Sequence, residues 1–150
     1  MNYKLIDEII KRSESKIWDT AKLEWYLNDI ELSYDFSSCL CSHPIKELCF
    51  IRNKLNSSDA IVGNCCVTKF FNFGTKTIFK SIKKITKDKS KSFNSVDLIF
   101  LFNNKKITEW EYNFYSDIIN KKKLSPRQKE KKIQVNEKIL NILTNSYSKR

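Results

Sequence analysis

Cys39, Cys41 and His43 stand two residues apart within Cys-Leu-Cys-Ser-His-Pro, and two adjacent thiols, Cys65 and Cys66, follow after a segment that reads as a short hairpin. Soft thiolates and one imidazole gathered in this way are the donors of a tetrahedral structural zinc site. Cys39, Cys41 and His43 supply three ligands, and Cys66 or Cys65 supplies the fourth. A treble-clef-like arrangement, with two ligands from a knuckle and one from a helix start, favours whichever thiol opens the helix. The single-residue gap between Cys39 and Cys41 is tighter than the usual spacing. Cys49 lies in the first strand of the hairpin and reads as a small apolar core residue.

The elements that must position these residues are mostly helical. The chain has 150 residues, 41% of them apolar and 13% aromatic, with two Gly and two Pro, which predicts one folded, mainly α domain over 1–150. The zinc hairpin forms a subdomain over about 36–74 within a helical body. Leu5, Ile6, Ile9 and Ile10 repeat at helical spacing, and a second helix is expected from about Glu14 to Leu32, with Ile17, Ala21 and Trp25 on one stripe and Trp18 beside it. Leu48–Ile51 and Ala60–Val62 flank the polar turn formers of Asn53–Asp59 and read as a β-hairpin. A helix then runs from Cys65 through Val67, Phe70 and Phe71 to a Gly74 cap.

From Thr75 to Lys91, Ile78, Phe79, Ile82 and Ile85 mark one helical face, and Lys76, Lys80, Lys83, Lys84, Lys87 and Lys91 occupy the other. Val96–Phe102 reads as a short buried helix or a strand. Thr108 with Glu111 forms a capping box ahead of Trp110, Phe114, Tyr115, Ile118 and Ile119. Ser125-Pro126-Arg127-Gln128 opens a last helix that runs to about Leu143 with Val135, Ile139, Ile142 and Leu143 inward.

The charge is divided unevenly. Residues 1–60 hold 8 Lys/Arg against 10 Asp/Glu, whereas residues 61–150 hold 20 against 7, so the net +11 arises wholly after the hairpin. A polyanionic partner, or an acidic protein surface, facing one side accounts for such asymmetry, and a solvated face is the plainer alternative. Lys80, Lys83, Lys84 and Lys87 form the first basic cluster, and Lys121, Lys122, Lys123 and Arg127 form the second. Lysine dominates over arginine, and base reading relies on Arg, Asn or Gln forks. Contact with the phosphate backbone, with little sequence preference, follows.

The segments Cys39-Leu-Cys41-Ser-His43-Pro-Ile45, Ile51-Arg-Asn53 and Val62-Gly63-Asn64-Cys-Cys66-Val67, with the Lys-rich helix and Leu124-Ser125-Pro-Arg-Gln128, resemble a family of small zinc-finger proteins from phages and bacteria. There the knuckle reads Cys-x-Cys-Gly-His, so Ser42 stands where the family has glycine. The resemblance spans roughly residues 20–140 and implies Cys39, Cys41, His43 and Cys66 as Zn²⁺ ligands. It implies no activity.

Catalysis is not expected. His43 is the only histidine, so its use as a ligand removes general bases of the Ser-His and Cys-His kinds. Ile45 stands where a zinc deaminase needs Glu. Gly63 and Gly74, the only glycines, cannot build a phosphate-binding loop. No apolar run approaches the roughly 20 residues needed to cross a bilayer, and the N-terminus does not resemble a secretion signal. Five cysteines then read as reduced thiols and metal ligands in a reducing cytoplasm. The expected function is that of a non-catalytic zinc-stabilised protein, phage or mobile-element encoded, that binds nucleic acid, DNA rather than RNA. The alternative is an interaction or inhibitor module that grips a host or defence factor, with Phe70, Phe71, Phe73 and Tyr112 as contributors to its docking surface.

Overall fold

The computed structural model describes residues 3–144. Two compact units divide the chain, one up to Phe73 and the other from Gly74 onward. The break coincides with the end of the 36–74 segment singled out above. Among the described residues no helix is long and apolar enough to cross a membrane.

In the first unit, α1 (Tyr3–Lys11) and the single turn α2 (Trp18–Ala21), extended by a 3₁₀ turn over Lys22–Glu24, precede a three-stranded antiparallel sheet. Its strands β1 (Trp25–Ser38), β2 (Pro44–Asn53) and β3 (Asp59–Gly63) lie in sequential order, and α3 (Asn64–Phe70) follows. The expected hairpin is therefore present as β2–β3, with Cys49 opposite Val62 and Arg52 opposite Asp59.

The helix expected over 14–32 is not formed beyond Glu24. From Trp25 the chain is a strand that pairs with β2, Ile30 opposite Cys49 and Ser38 opposite Pro44. Pairing with a neighbouring strand overrides the weak helical stripe: Ile17, which was to anchor it, is 69% exposed. Trp18 is half-buried and meets Phe70 and Phe71 edge-on, with ring centroids 6.1 and 5.9 Å apart. Trp25 is buried, as expected of a core residue, and its Nε1 donates to Ser13 Oγ at 2.8 Å.

Glu24 organises the entry into β1. Its carboxylate accepts the N–H groups of Glu14 and Ser15, both at 2.7 Å, and Asn53 Nδ2 at 2.8 Å. Burial pushes this carboxyl up, but the three hydrogen bonds and the nearby Lys16 charge outweigh it, and the group sits below its ordinary value. Asn53 Oδ1 in turn accepts the N–H of Leu55, which shapes the β2–β3 turn.

α3 is shorter than expected. Phe71 is already extended, with φ −130° and ψ 163°, and stacks on Phe73 at 5.0 Å. Gly74 does hold the left-handed φ of +77°, but in the turn after the extended segment rather than as the cap of α3.

The second unit comprises α4 (Ile78–Lys87), α5 (Ser95–Asn103), α6 (Glu109–Ile118) and α7 (Pro126–Thr144). α4 occupies only the middle of the expected 75–91 segment, because the Asp88 carboxylate captures the N–H and hydroxyl of Ser90 and ends the helix. Lys76 and Lys91 thus lie outside it. The ambiguous 96–102 run is helical, with Asn94 and Asp97 forming a capping box, and the Thr108–Glu111 box is formed as expected. Ser125 and Gln128 also exchange the expected capping hydrogen bonds.

Ile78, Phe79, Ile82 and Ile85 of α4 are buried in the core of this unit with Leu98, Leu101, Tyr115, Val135, Ile139 and Leu143. Two expected core positions are exposed. Trp110 is 59% exposed, stacked on Phe114 with Lys131 Nζ 5.0 Å from its ring centre, and Ile142 lies on the outer side of α7. Asn136, wholly buried, donates to the carbonyls of Lys89 and Lys91 and accepts the Tyr115 hydroxyl, each at 2.8 Å. It fixes the α4–α5 loop against α7.

Candidate metal centre and basic surface

Cys39 follows β1 directly, Cys41 lies in the turn to β2, and Cys66 sits in the first turn of α3. Their Sγ atoms all lie within 4.8 Å of one another. Consecutive helical residues are rotated by about 100°. Cys66 therefore faces the knuckle and is buried, whereas Cys65 is exposed and outside the cluster. Cys49 is buried in β2 and also outside it.

The backbone holds the knuckle in shape. Cys39 N–H donates to His43 O at 2.9 Å, Ser42 N–H to Cys39 O at 2.8 Å, and Leu40 N–H to Ile61 O at 3.2 Å, tying the turn to β3. Ser42 has φ +77°, a left-handed conformation that favours glycine. Gly63 brings β3 against the knuckle: its N–H donates to Cys39 Sγ at 3.3 Å, and a Cβ there would lie 2.8 Å from Ile45 Cγ2. An N–H aimed at a sulfur stabilises the thiolate and orients it as a ligand.

The electrostatics of the cluster favour protonated thiols unless a cation is bound. Burial pushes the Cys39 thiol up, partly offset by the N–H groups of Cys41 and Gly63. Burial and the charges of Cys39 and Cys41 push Cys66 far above the ordinary thiol range. Three thiolates cannot coexist at such separations without a positive charge between them. A tetrahedral zinc with bonds of about 2.3 Å needs sulfurs about 3.8 Å apart, and the three sulfurs, all within 4.8 Å of one another, are close enough to hold a metal ion. His43, the other expected ligand, is exposed on the knuckle, and its imidazole is not part of the cluster.

In the second unit Lys80, Lys83, Lys84 and Lys87 are all exposed on α4, and Lys121, Lys122, Lys123 and Arg127 are all exposed between α6 and the first turn of α7. Lys132 lies between the two clusters, acted on by Lys84 of the first and lining one cavity with Lys122 of the second. Burial lowers the pKa of Lys132, on α7, Asp88 raises it, and the charges of Lys84 and Lys91 lower it further. Lys132 therefore links α4 to α7, a role that linear spacing did not reveal. Of the residues named for a docking surface, Phe71 is buried, whereas Phe70, Phe73 and Tyr112 are half-buried.

Comparison with protein-family models, curated proteins and solved structures returns no match.

Proposed function

We propose that the chain is a non-catalytic, zinc-stabilised nucleic-acid-binding protein of the reducing cytoplasm. Its second unit tracks a phosphate backbone with little sequence preference. The observation that carries this reading is the set of exposed lysines on α4 and in the connection to α7, within residues 74–150, whose sequence holds 19 Lys/Arg against 7 Asp/Glu. Lys80, Lys84 and Lys87 lie along one side of α4 over about 10 Å, the axial rise of about three phosphates on one strand.

Zinc is the metal that three thiolates and an imidazole favour, and His43, exposed on the knuckle and outside the cluster of Cys39, Cys41 and Cys66, becomes the fourth donor when its side chain turns toward the bound ion. The order of knuckle, hairpin and helix start supports a treble-clef-like centre, and the likeness to small phage and bacterial zinc fingers supports the same ligand set. The metal's role is structural: it closes the turn between β1 and β2 onto the start of α3.

Fluorescence polarisation with single- and double-stranded oligonucleotides at low and moderate salt tests the function. Six to eight phosphate contacts predict a log–log salt slope of about −5 to −7 on duplex DNA. Absence of binding at low salt overturns the reading. A second reading, a protein-docking module, draws on the exposed Val96, Ile99 and Phe102, three residues apart on α5. Binding through that stripe would hardly respond to salt.

A further inference from the structure

A cavity of about 350 Å³ opens in the second unit between the α4–α5 loop and α7, lined by Ser90, Lys122, Leu124, Lys129, Lys132 and Ile133. Its three ammonium groups come from two segments, Lys122 from the connection before α7 and the other two from α7 itself. Lys84 and Lys91 lie near enough to act on Lys132, and Asp88 is the carboxylate whose charge reaches it. Asp88 is already engaged by the N–H and hydroxyl of Ser90. Among the described residues, no ion pair involves Lys84, Lys91, Lys122, Lys129 or Lys132.

Three ammonium groups lining one cavity, with no carboxylate in its lining, leave a surplus that one phosphodiester charge would only partly neutralise. A phosphomonoester carries about −1.5 to −2 at neutral pH and matches the surplus better. The volume lies at the small end of the range for small-molecule sites, about 300–1,000 Å³. It admits a chain end or a single nucleotide rather than a continuous strand. Leu124 and Ile133 add an apolar wall suited to a sugar or base.

We propose that this cavity binds a phosphomonoester, the terminal phosphate of a nucleic-acid strand or that of a free mononucleotide, through Lys122, Lys129 and Lys132. The strand-end form rests on the nucleic-acid reading above. The site supplies an end preference that the lysine row on α4, a linear array, has no means to create.

The test compares one short single-stranded oligonucleotide carrying either a 5′-phosphate or a 5′-hydroxyl, by fluorescence polarisation with the full chain, with AMP and inorganic phosphate as competitors. The phosphorylated strand should bind about tenfold tighter, the equivalent of one or two additional charge-assisted contacts. Lys132→Gln should abolish that preference. Lys122→Gln, outside any helix, should weaken it without disturbing the fold, as an unchanged melting temperature would verify. Competition by AMP identifies the mononucleotide as an alternative occupant, and its failure while the end preference persists assigns the site to strand ends. Equal, salt-sensitive binding of both strands with no effect of AMP overturns the cavity and leaves the backbone reading standing. Binding of AMP with no binding of either strand does the reverse.

Discussion

Metal binding at the cysteine cluster should expel a countable number of protons, and the count tests the ligand set. An ordinary thiol has a pKa near 8.5, so at pH 7.5 about nine-tenths of it is protonated. Cys39 and Cys66 are pushed higher still, chiefly by burial. The metal-free cluster of Cys39, Cys41 and Cys66 therefore holds close to three protons at pH 7.5, and a thiolate-bound metal must release about that number. Raising the pH favours the deprotonated thiols that only the bound state requires. Apparent affinity should thus rise about tenfold per unit for each proton, or about a thousandfold between pH 6.5 and 7.5 for three.

An imidazole ligand contributes to this count only near or below about pH 6.5, so at pH 7.5 the number reports thiols alone. Calorimetric zinc titrations in buffers of different ionisation enthalpy measure it directly. Three protons are expected for the wild-type chain, two for Cys39→Ser with much weaker binding, and three for Cys49→Ala, whose thiol lies outside the cluster. Four would bring Cys65 into the site. Fewer than two, or an affinity indifferent to pH, would refute the three-thiolate centre.

Ser42→Gly should relieve the left-handed strain of the knuckle and raise the stability of the metal-loaded protein by about 1 kcal/mol, read as a higher melting temperature; a lower one would show that the serine hydroxyl contributes more than the strain costs. Reversing Lys80, Lys84 and Lys87 together to Glu should leave the circular dichroism unchanged and abolish nucleic-acid binding in a polarisation assay, and retained affinity would move the binding face elsewhere. Asn136→Ala removes the partner of two loop carbonyls and of the Tyr115 hydroxyl, at a cost of about 3 kcal/mol measurable by urea unfolding; a loss below about 1 kcal/mol would show that water replaces the side chain. Glu24 has a depressed pKa, so its stabilisation is complete above the ordinary glutamate range and is lost as pH falls through the lower folded value. Glu24→Gln should accordingly flatten the acid limb of the stability profile, and an unchanged limb would assign acid unfolding to other carboxylates.

Local signals in the sequence carried well where a few neighbouring residues decide the outcome. The Thr108–Glu111 box, the Ser125–Gln128 start and the polar turn after β2 all form as their side-chain chemistry requires. β1 was missed because Ile17, Ala21 and Trp25 imitate a helical stripe over just two turns. A competing signal was present: Ile30, Leu32, Tyr34 and Phe36 alternate with Asp29, Glu31, Ser33 and Asp35, a period of two. Even that alternation misleads about burial. Glu31 and Ser33 are buried whereas Tyr34 and Phe36 are exposed, in a strand whose pairing with β2 shifts register after Leu27 and again after Leu32. Register shifts of this kind depend on the partner strand and leave little mark on the sequence. The cysteine cluster was legible in three of its thiols, because a knuckle and a helix start impose their own geometry. The cavity around Lys132 was not, since it depends on how the α4–α5 loop is fastened to α7 through Asn136.

The chemistry of lysine decides what kind of recognition the second unit can offer. Residues 74–150 contain 17 lysines and two arginines, Arg127 and Arg150. An ammonium is a point charge on a flexible stem and lacks the planar fork that reads guanine or clamps a phosphate from two sides. Affinity built from such contacts depends steeply on salt and weakly on base sequence. A protein-docking face would behave in the opposite way, tolerant of salt and selective for its partner. Discrimination beyond backbone contact must then come from shape, and the Lys122–Lys129–Lys132 cavity is a concave basic feature of this unit. Steep salt dependence, indifference to base sequence and a preference for a terminal phosphate would together identify a protein that recognises where a strand ends rather than what it encodes.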